Sequence, residues 1–321
     1  MAVIIELPDA VVLKIFQLLG LTDLGACSQV CTRWQDLFYD SSLWINVDFC
    51  RHRFQITKDR LLKITKNLLG SQLQQLDLSN LTVNPEILTT LHDNCPNLRI
   101  LSMVDVTFQD FEDILTSKYD IQFPEKLQFL DVRYASARSL TGNQLAFNRI
   151  ARRLSHCQCF AATNEMLRHC EHMFLFRKLS NVRVLELSHC SAVYDGTLNL
   201  IAHFCRKLKS LSIRHCSNLN GSNLSLLIDQ CRALKSLTFS GTALEDQHFM
   251  NCDWGNCQLE EFEVSWSKDI TKNGLISVLP RLKQLRYLKV SSCGFGGALD
   301  DGVLHLMCSV GYKMLTTLDI G

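Results

Sequence analysis

The stretch VRVLELSHCSAVYDGTLNLIAHFCRKLKSLSIRHC, residues 182–216, holds one structural unit and the start of its copy. Val182, Leu185 and Leu187 are followed 26 residues later by Leu208, Leu211 and Ile213, an L-x-x-L-x-L pattern. Between them lie Leu198, Ile201, Ala202 and Cys205, at offsets of 0, 3, 4 and 7. That spacing puts four side chains on one helical face. One period is therefore a short strand that buries positions 4 and 6 of its motif, a turn, and an amphipathic helix. Neither half can bury its apolar face alone, so such units must stack on copies of themselves.

Outward from this stretch the motif recurs with starts at Leu73, Leu98, Leu127, Leu234, Leu259, Leu285 and Leu315. Leu127 and Val182 stand 55 residues apart, about two periods, and a tenth copy is read between them at Leu154-Cys157-Cys159. The helical face repeats as Leu88-Leu91-His92-Cys95, Leu224-Leu227-Ile228-Cys231 and Leu275-Val278-Leu279-Leu282. Cys190, Cys216 and Cys293 each fall eight residues past a strand start, where the chain turns inward and a small side chain fits. Together with Cys95, Cys205 and Cys231 this pattern resembles the cysteine-containing subtype of leucine-rich repeats over roughly residues 70–321. The implied fold is α/β: a curved solenoid over 49–321 with about ten repeats, a parallel sheet on its concave face and helices outside. An insertion at 104–126 lengthens one repeat. The sequence stops inside a repeat at Asp319-Ile320-Gly321, so its open edge is expected to be covered by a partner, or the sequence to be a shortened form.

Residues 1–48 do not follow the repeat. Pro8 and Asp9 open a helix with Val12, Ile15, Phe16 and Leu19 on one face. Thr22 can cap a second helix carrying Leu24, Cys27 and Val30, and Thr32 a third carrying Trp34, Leu37 and Phe38. Trp44 to Phe49 reads as a strand that starts the solenoid. About 45 residues are too few for a self-sufficient core, so this helical module must rest on the first repeats, on a partner, or on both.

The string Leu7-Pro8-Asp9-x3-Leu13-x-Ile15-Phe16-x2-Leu19, then Leu21-x-Asp23-Leu24, Val30-Cys31-x-Arg33-Trp34-x2-Leu37 and Asp40-Ser41-Ser42-Leu43-Trp44, resembles an F-box throughout. Joined to these repeats, it is similar to the F-box leucine-rich-repeat family over nearly the whole chain. The resemblance implies the substrate-recognition subunit of an SCF-type E3 ubiquitin ligase, with no catalysis of its own. The F-box would bind the Skp adaptor and, through it, cullin and RING subunits, while the repeats hold a target protein for ubiquitination. Leu7, Pro8, Leu13, Ile15, Phe16, Leu19, Leu24, Val30 and Trp34 would form or support the adaptor surface, as helix anchors set in a groove. The alternatives are a binding scaffold that uses the adaptor outside a ligase, and a cysteine-rich repeat protein that inhibits an enzyme.

Composition narrows the setting. Hydrophobic residues make up 47% and charged residues 20%, which excludes wholesale disorder. A net charge of +1 gives no global case for nucleic acid or an anionic membrane. No basic secretory leader is visible, and no apolar run approaches the ~18 residues of a membrane span. The fifteen cysteines are then expected as reduced thiols in cytoplasm or nucleus rather than as disulfides. His156-Cys157-x-Cys159 and His169-Cys170-x-His172 have zinc-like spacing, but their strand and helix register assigns them to core, so no metal is expected. Gly294, Gly296 and Gly297 lack the Lys-Ser/Thr of a phosphate loop, and no hydrolase motif occurs, so no cofactor is expected.

Strand positions 3, 5, 7 and 8 face away from the core. They assemble a candidate target patch of Phe129, Arg133, Tyr134, His156, Phe160, His189, Arg214 and His215 across four strands, with Trp266 in the position-8 column. Its Arg and His side chains suit an acidic or phosphorylated target segment.

Overall fold

The computed structural model describes residues 7–111, 123–138, 140–152, 154–294 and 297–320. Three short helices come first: α1 (Asp9–Phe16), α2 (Leu21–Cys27) and α3 (Thr32–Phe38). An eleven-stranded sheet follows, built from β1 (Asn46–Asp48), β2 (Gln75–Asp77), β4 (Ile100–Ser102), β6 (Phe129–Val132), β8 (Cys159–Thr163), β9 (Val184–Ser188), β10 (Ser210–Arg214), β11 (Ser236–Ser240), β12 (Glu261–Ser265), β13 (Tyr287–Ser291) and β14 (Thr317–Asp319). A second, three-stranded sheet of β3 (Thr82–Val83), β5 (Thr107–Phe108) and β7 (Ser136–Ala137) runs beside its first units. Every pairing in both sheets is parallel, and each strand neighbours the next strand of its own sheet. One strand and one returning helix per unit enforce that order. Caps mark the helix starts: Asn84 accepts from the Ile87 amide with Pro85 in the first turn, and Asp300 accepts from the Val303 amide.

The register aligns the core. Leu185, Leu211, Leu237, Phe262 and Leu288 stand in one row, and Leu187, Ile213, Phe239, Val264 and Val290 in the next, all buried. The helical faces at 198–205, 224–231 and 275–282 close over them, as their spacing predicts. Cysteines serve as small core residues whose thiols meet strand and turn carbonyls: Cys190 donates to the Ser188 carbonyl at 3.0 Å, and Cys293 to the Val264 carbonyl at 3.5 Å.

One unit departs from the sequence reading. Leu130 pairs with Phe160, and Phe160 with Leu185, so Phe160 holds position 4 and Ala162 position 6. The motif therefore starts at Cys157, three residues later than expected, and Leu154 belongs to a short 3-10 turn, Leu154–His156. The slip keeps Cys157 buried in either register, but it exchanges a core cysteine for a core phenylalanine. The larger apolar area of the ring decides between the two. Phe160 is 1% exposed and does not face the concave side. At the other end, Trp44, Val47 and Phe49 fill positions 1, 4 and 6 around β1, so the first unit begins there.

Trp44 also ties the helical module down. Its indole nitrogen donates to the Phe38 carbonyl at 2.8 Å, and its ring packs edge-to-face on Phe38 with centroids 5.1 Å apart. Buried residues run without a break from Val12 and Phe16 into the repeats, so the module shares the solenoid's core. Of the 104–126 insertion, residues 112–122 lie outside the described residues, as does Gly296. Phe108, Phe111 and Phe123 at the ends of that insertion are buried. Leu318 in β14 and Ile320 just after it, both core positions of the motif, are exposed. Among the described residues no helix is long and apolar enough to cross a membrane.

Candidate functional site

Two faces carry exposed groups that the core does not need. The first lies on the helical module. Phe16 and Leu24 are buried and hold it together, with Phe16 packed edge-to-face on Trp34 at 5.2 Å. Leu7, Leu13, Ile15, Leu19 and Trp34 are half-buried, while Pro8 and Val30 are exposed. Arg33 braces the start of α1, donating to the Asp9 carboxylate at 2.8 Å and to the Leu7 carbonyl. Val11 and Leu18 are exposed too, Leu18 by 86%. Pro8, Val11, Ile15 and Leu18 follow one another at intervals of three and four, so they form a stripe along α1 and its two ends, beside the buried stripe of Val12 and Phe16. Reading the sequence only for the buried stripe misses Val11 and Leu18; the complementary stripe of the same period contains them.

The second face is the strand-end rim of the concave sheet. Position 8 is left-handed in eight units: φ lies between 52° and 65° at Asn80, Asp105, Tyr134, His189, His215, Gly241, Trp266 and Ser292. Asparagine, aspartate and glycine accept that conformation readily, whereas tyrosine and tryptophan do so at a cost. The rings stand in line: His189 and His215 stack with centroids 4.6 Å apart and planes 19° apart, and Tyr134 lies 6.0 Å from His189. Trp266 is 66% exposed.

Behind this ridge the cations are already compensated. Arg133 donates to the Asp131 carboxylate at 2.7 Å and to Glu186 at 2.9 Å, and its hydrogen bonds to Asp131 push its pKa above the usual range. Arg214 grips Glu263 with both terminal nitrogens, at 2.9 and 3.2 Å. Two interlocked acid–base groups leave little net positive charge there, so these arginines do not form the open anion site that the sequence suggests.

Phe129, Arg133, Tyr134, His189, Arg214 and His215 thus come together on the concave side. His156 does not. It is exposed in the turn before Cys157, in a cleft of about 320 Å³ at the opposite ends of the strands, beside Arg99, Lys126 and Gln128. Phe160 is in the core, as described above. Both misplacements come from the same three-residue slip.

The zinc-like clusters make other contacts. The Cys157 thiol donates to the Cys159 carbonyl at 3.0 Å, His172 Nε2 lies 2.7 Å from the Leu167 carbonyl, and His169 faces Glu165 at 3.6 Å. Among the described residues only Asp48, Cys50 and Asp77 group their ligand atoms, and the hydrogen bond to Asp48 pushes the Cys50 thiol up to about 11, away from the thiolate a metal needs. All fifteen cysteines are free thiols, nine of them buried.

Residues 4–50 match the F-box-like family. Over 127 residues the chain is 34% identical to F-box/LRR-repeat protein 12 of Homo sapiens and 32% identical to that of Mus musculus. Each match takes in 33% of this chain and spans 37% of the relative's length. The fold is similar to a chain in the crystal structure of the Rad7 and Elc1 complex in yeast, with a TM-score of 0.50 at 14% identity, covering 97% of this chain and 88% of that one. An F-box-like module set on an eleven-stranded repeat solenoid, with similarity to F-box/LRR-repeat proteins over a third of the chain, makes this chain similar to the F-box leucine-rich-repeat family.

Proposed function

We propose that the chain is the substrate-recognition subunit of an SCF-type ubiquitin ligase. The helical module binds the Skp adaptor, and the adaptor brings cullin and RING subunits. The concave rim holds a target protein, and the chain performs no catalysis itself. The observation that carries this reading is the set of exposed apolar groups Pro8, Val11, Leu18 and Val30, with half-buried Ile15 between them, on a module whose sequence matches an F-box and whose own core is occupied by Phe16 and Leu24. Exposed apolar groups on so small a unit suit an obligate partner. The target face is the position-8 ridge of Tyr134, His189, His215 and Trp266, supported by Phe129, Arg133 and Arg214. Its rings are rigid, amphipathic anchors of the kind enriched at binding hot spots. Fifteen free thiols suit a reducing compartment, cytoplasm or nucleus.

The test is co-purification of adaptor and cullin with the full chain, with a chain lacking residues 1–45, and with Leu18→Asp. Loss of the adaptor in both altered chains, with target capture retained by Leu18→Asp, is the expected result. Retention of the adaptor by the deleted chain would refute the proposal.

A further inference from the structure

Nine Lys or Arg but only three Asp or Glu lie between residues 177 and 235, in a chain whose net charge is +1. Six of these cations gather on the rim where strands β9, β10 and β11 begin, the end opposite the aromatic ridge: Arg183, Arg206, Lys207, Lys209, Arg232 and Lys235. All six are exposed. Position 2 is stacked from unit to unit, since the Lys209 and Ser210 amides both donate to the Arg183 carbonyl and the Lys235 and Ser236 amides to the Lys209 carbonyl. Arg183, Lys209 and Lys235 therefore project from backbones about 4.8 Å apart, the spacing of neighbouring strands. Like charges side by side on adjacent strands are destabilising.

Elsewhere a number of the cations are neutralised. Lys58, Lys66, Arg133, Arg214, Lys272 and Lys289 all have a carboxylate partner. On the rim only Lys235 has one, Glu260. Lys207 donates to the Asn181 side chain and Arg232 to the Asp229 carbonyl. Arg183, Arg206 and Lys209 form no ion pair or side-chain hydrogen bond among the described residues. Placement just after the helices Asp195–Phe204 and Leu224–Gln230 accounts for Arg206 and Arg232, because cations favour helix C-termini. It does not account for Arg183 and Lys209, which stand at the strand starts.

We propose that this rim is a second docking surface, for an acidic protein segment. Arginine forks and lysine points suit carboxylates. The patch crosses three strands, about 10 Å, a span covered by only three or four residues of extended peptide. Sequence-tolerant binding of unpaired bases uses rows of aromatic rings, whereas the six rim residues are all Lys or Arg, so the proposal commits to a protein segment and makes single-stranded nucleic acid an outcome of the test.

The test uses the full chain with its adaptor, a fluorescein-labelled hexaglutamate peptide, and a labelled twelve-nucleotide single-stranded DNA, read by fluorescence anisotropy. The parent should bind the peptide more tightly than the DNA. R183E/R206E/K209E should weaken peptide binding about tenfold or more, while K63E/K268E/K283E, with the same charge change at exposed sites elsewhere, stays within about twofold of the parent. Should the first variant fail to fold, R183Q/K209Q takes its place, with about threefold weaker binding expected. No peptide binding by the parent, equal losses in test and control variants, an unchanged R183Q/K209Q, or tighter binding of the DNA would each overturn the proposal.

Discussion

Replacing Phe160 by alanine separates two registers of the irregular unit. In the structure the ring is 1% exposed and lies between Leu130 and Leu185 in the position-4 row. Removing it forfeits the transfer energy of the ring and leaves a cavity that flanking strands cannot close, a loss of about 3–5 kcal/mol. Were the motif to start at Leu154, Phe160 would stand on the concave surface and its removal would change stability by less than about 0.5 kcal/mol. The two expectations differ about tenfold, well outside experimental scatter. His156→Ala supplies the matched control and should be nearly neutral, because that side chain is exposed in the preceding turn. Repeats couple mainly to their neighbours, so the damage should centre on β6, β8 and β9. Urea unfolding followed by circular dichroism gives the total, and amide exchange at Leu130, Phe160 and Leu185 gives the location. A loss below about 1 kcal/mol in Phe160→Ala, or protection lost evenly along the chain, would refute the register argued from the strand pairing.

Arg214→Ala should cost about 1–3 kcal/mol, more than an ordinary exposed position, because it strips the bidentate partner from Glu263, which is 8% exposed. Adding Glu263→Gln should recover part of that loss in a thermal melt. At position 8, Ser292→Gly should be neutral to stabilising by up to about 1 kcal/mol. Gly241→Ala should destabilise, since φ is +62° and the new methyl would sit 2.7 Å from His215 Nδ1. Burial pushes the Cys95 and Cys157 thiols up to about 12 from an ordinary value of 9. As pH rises through 9 the unfolded chain therefore loses these protons before the folded one does. The stability that keeping these thiols neutral contributes is intact below pH 9 and declines between pH 9 and 12, which urea midpoints at pH 8 and 10.5 would show as a fall. Equal midpoints would contradict it.

The fold was legible because periodicity is a property of spacing, and spacing survives in one sequence. Val182-Leu185-Leu187 and its regular copies from Leu73 to Val290 name their own core positions, and the structure buries them, whereas Leu318 and Ile320 of the last copy are exposed. The unit after Leu127 defeated the same reasoning because its motif is degenerate. Cys157, Phe160 and Ala162 match an L-x-x-L-x-L template less well than the regular 26-residue spacing favours a start near Leu154, and hydrogen-bond pairing alone resolves the choice. Candidate site residues were less legible. Which concave arginines are neutralised depends on partners 49 and 53 residues away, Glu263 for Arg214 and Glu186 for Arg133, and no local pattern announces those pairs. The rim cations show the reverse: their clustering is visible in composition, but only the stacked register shows that Arg183, Lys209 and Lys235 stand side by side.

The left-handed turn at position 8 divides labour within each strand. Where the turn needs only to be made, the chain uses Gly241, Asn80, Asp105 or Ser292. At Tyr134 and Trp266 it uses large rings instead, although a non-glycine residue in this conformation costs on the order of 1 kcal/mol and these side chains, 50% and 66% exposed, regain little of it by burial. Stability therefore does not explain the choice of residue there. Positions 4 and 6, two to four residues earlier in the same strands, are filled by leucine, isoleucine, valine and phenylalanine that are almost wholly buried. Holding and presenting thus fall on different columns of one repeat. Under the proposed function, a change at position 8 alters target capture while the position-4 and position-6 rows stay packed. A single stacked architecture can in this way keep its core constant and vary its ridge, and the backbone strain at Tyr134 and Trp266 is one of the observations behind the proposal that the ridge holds a target.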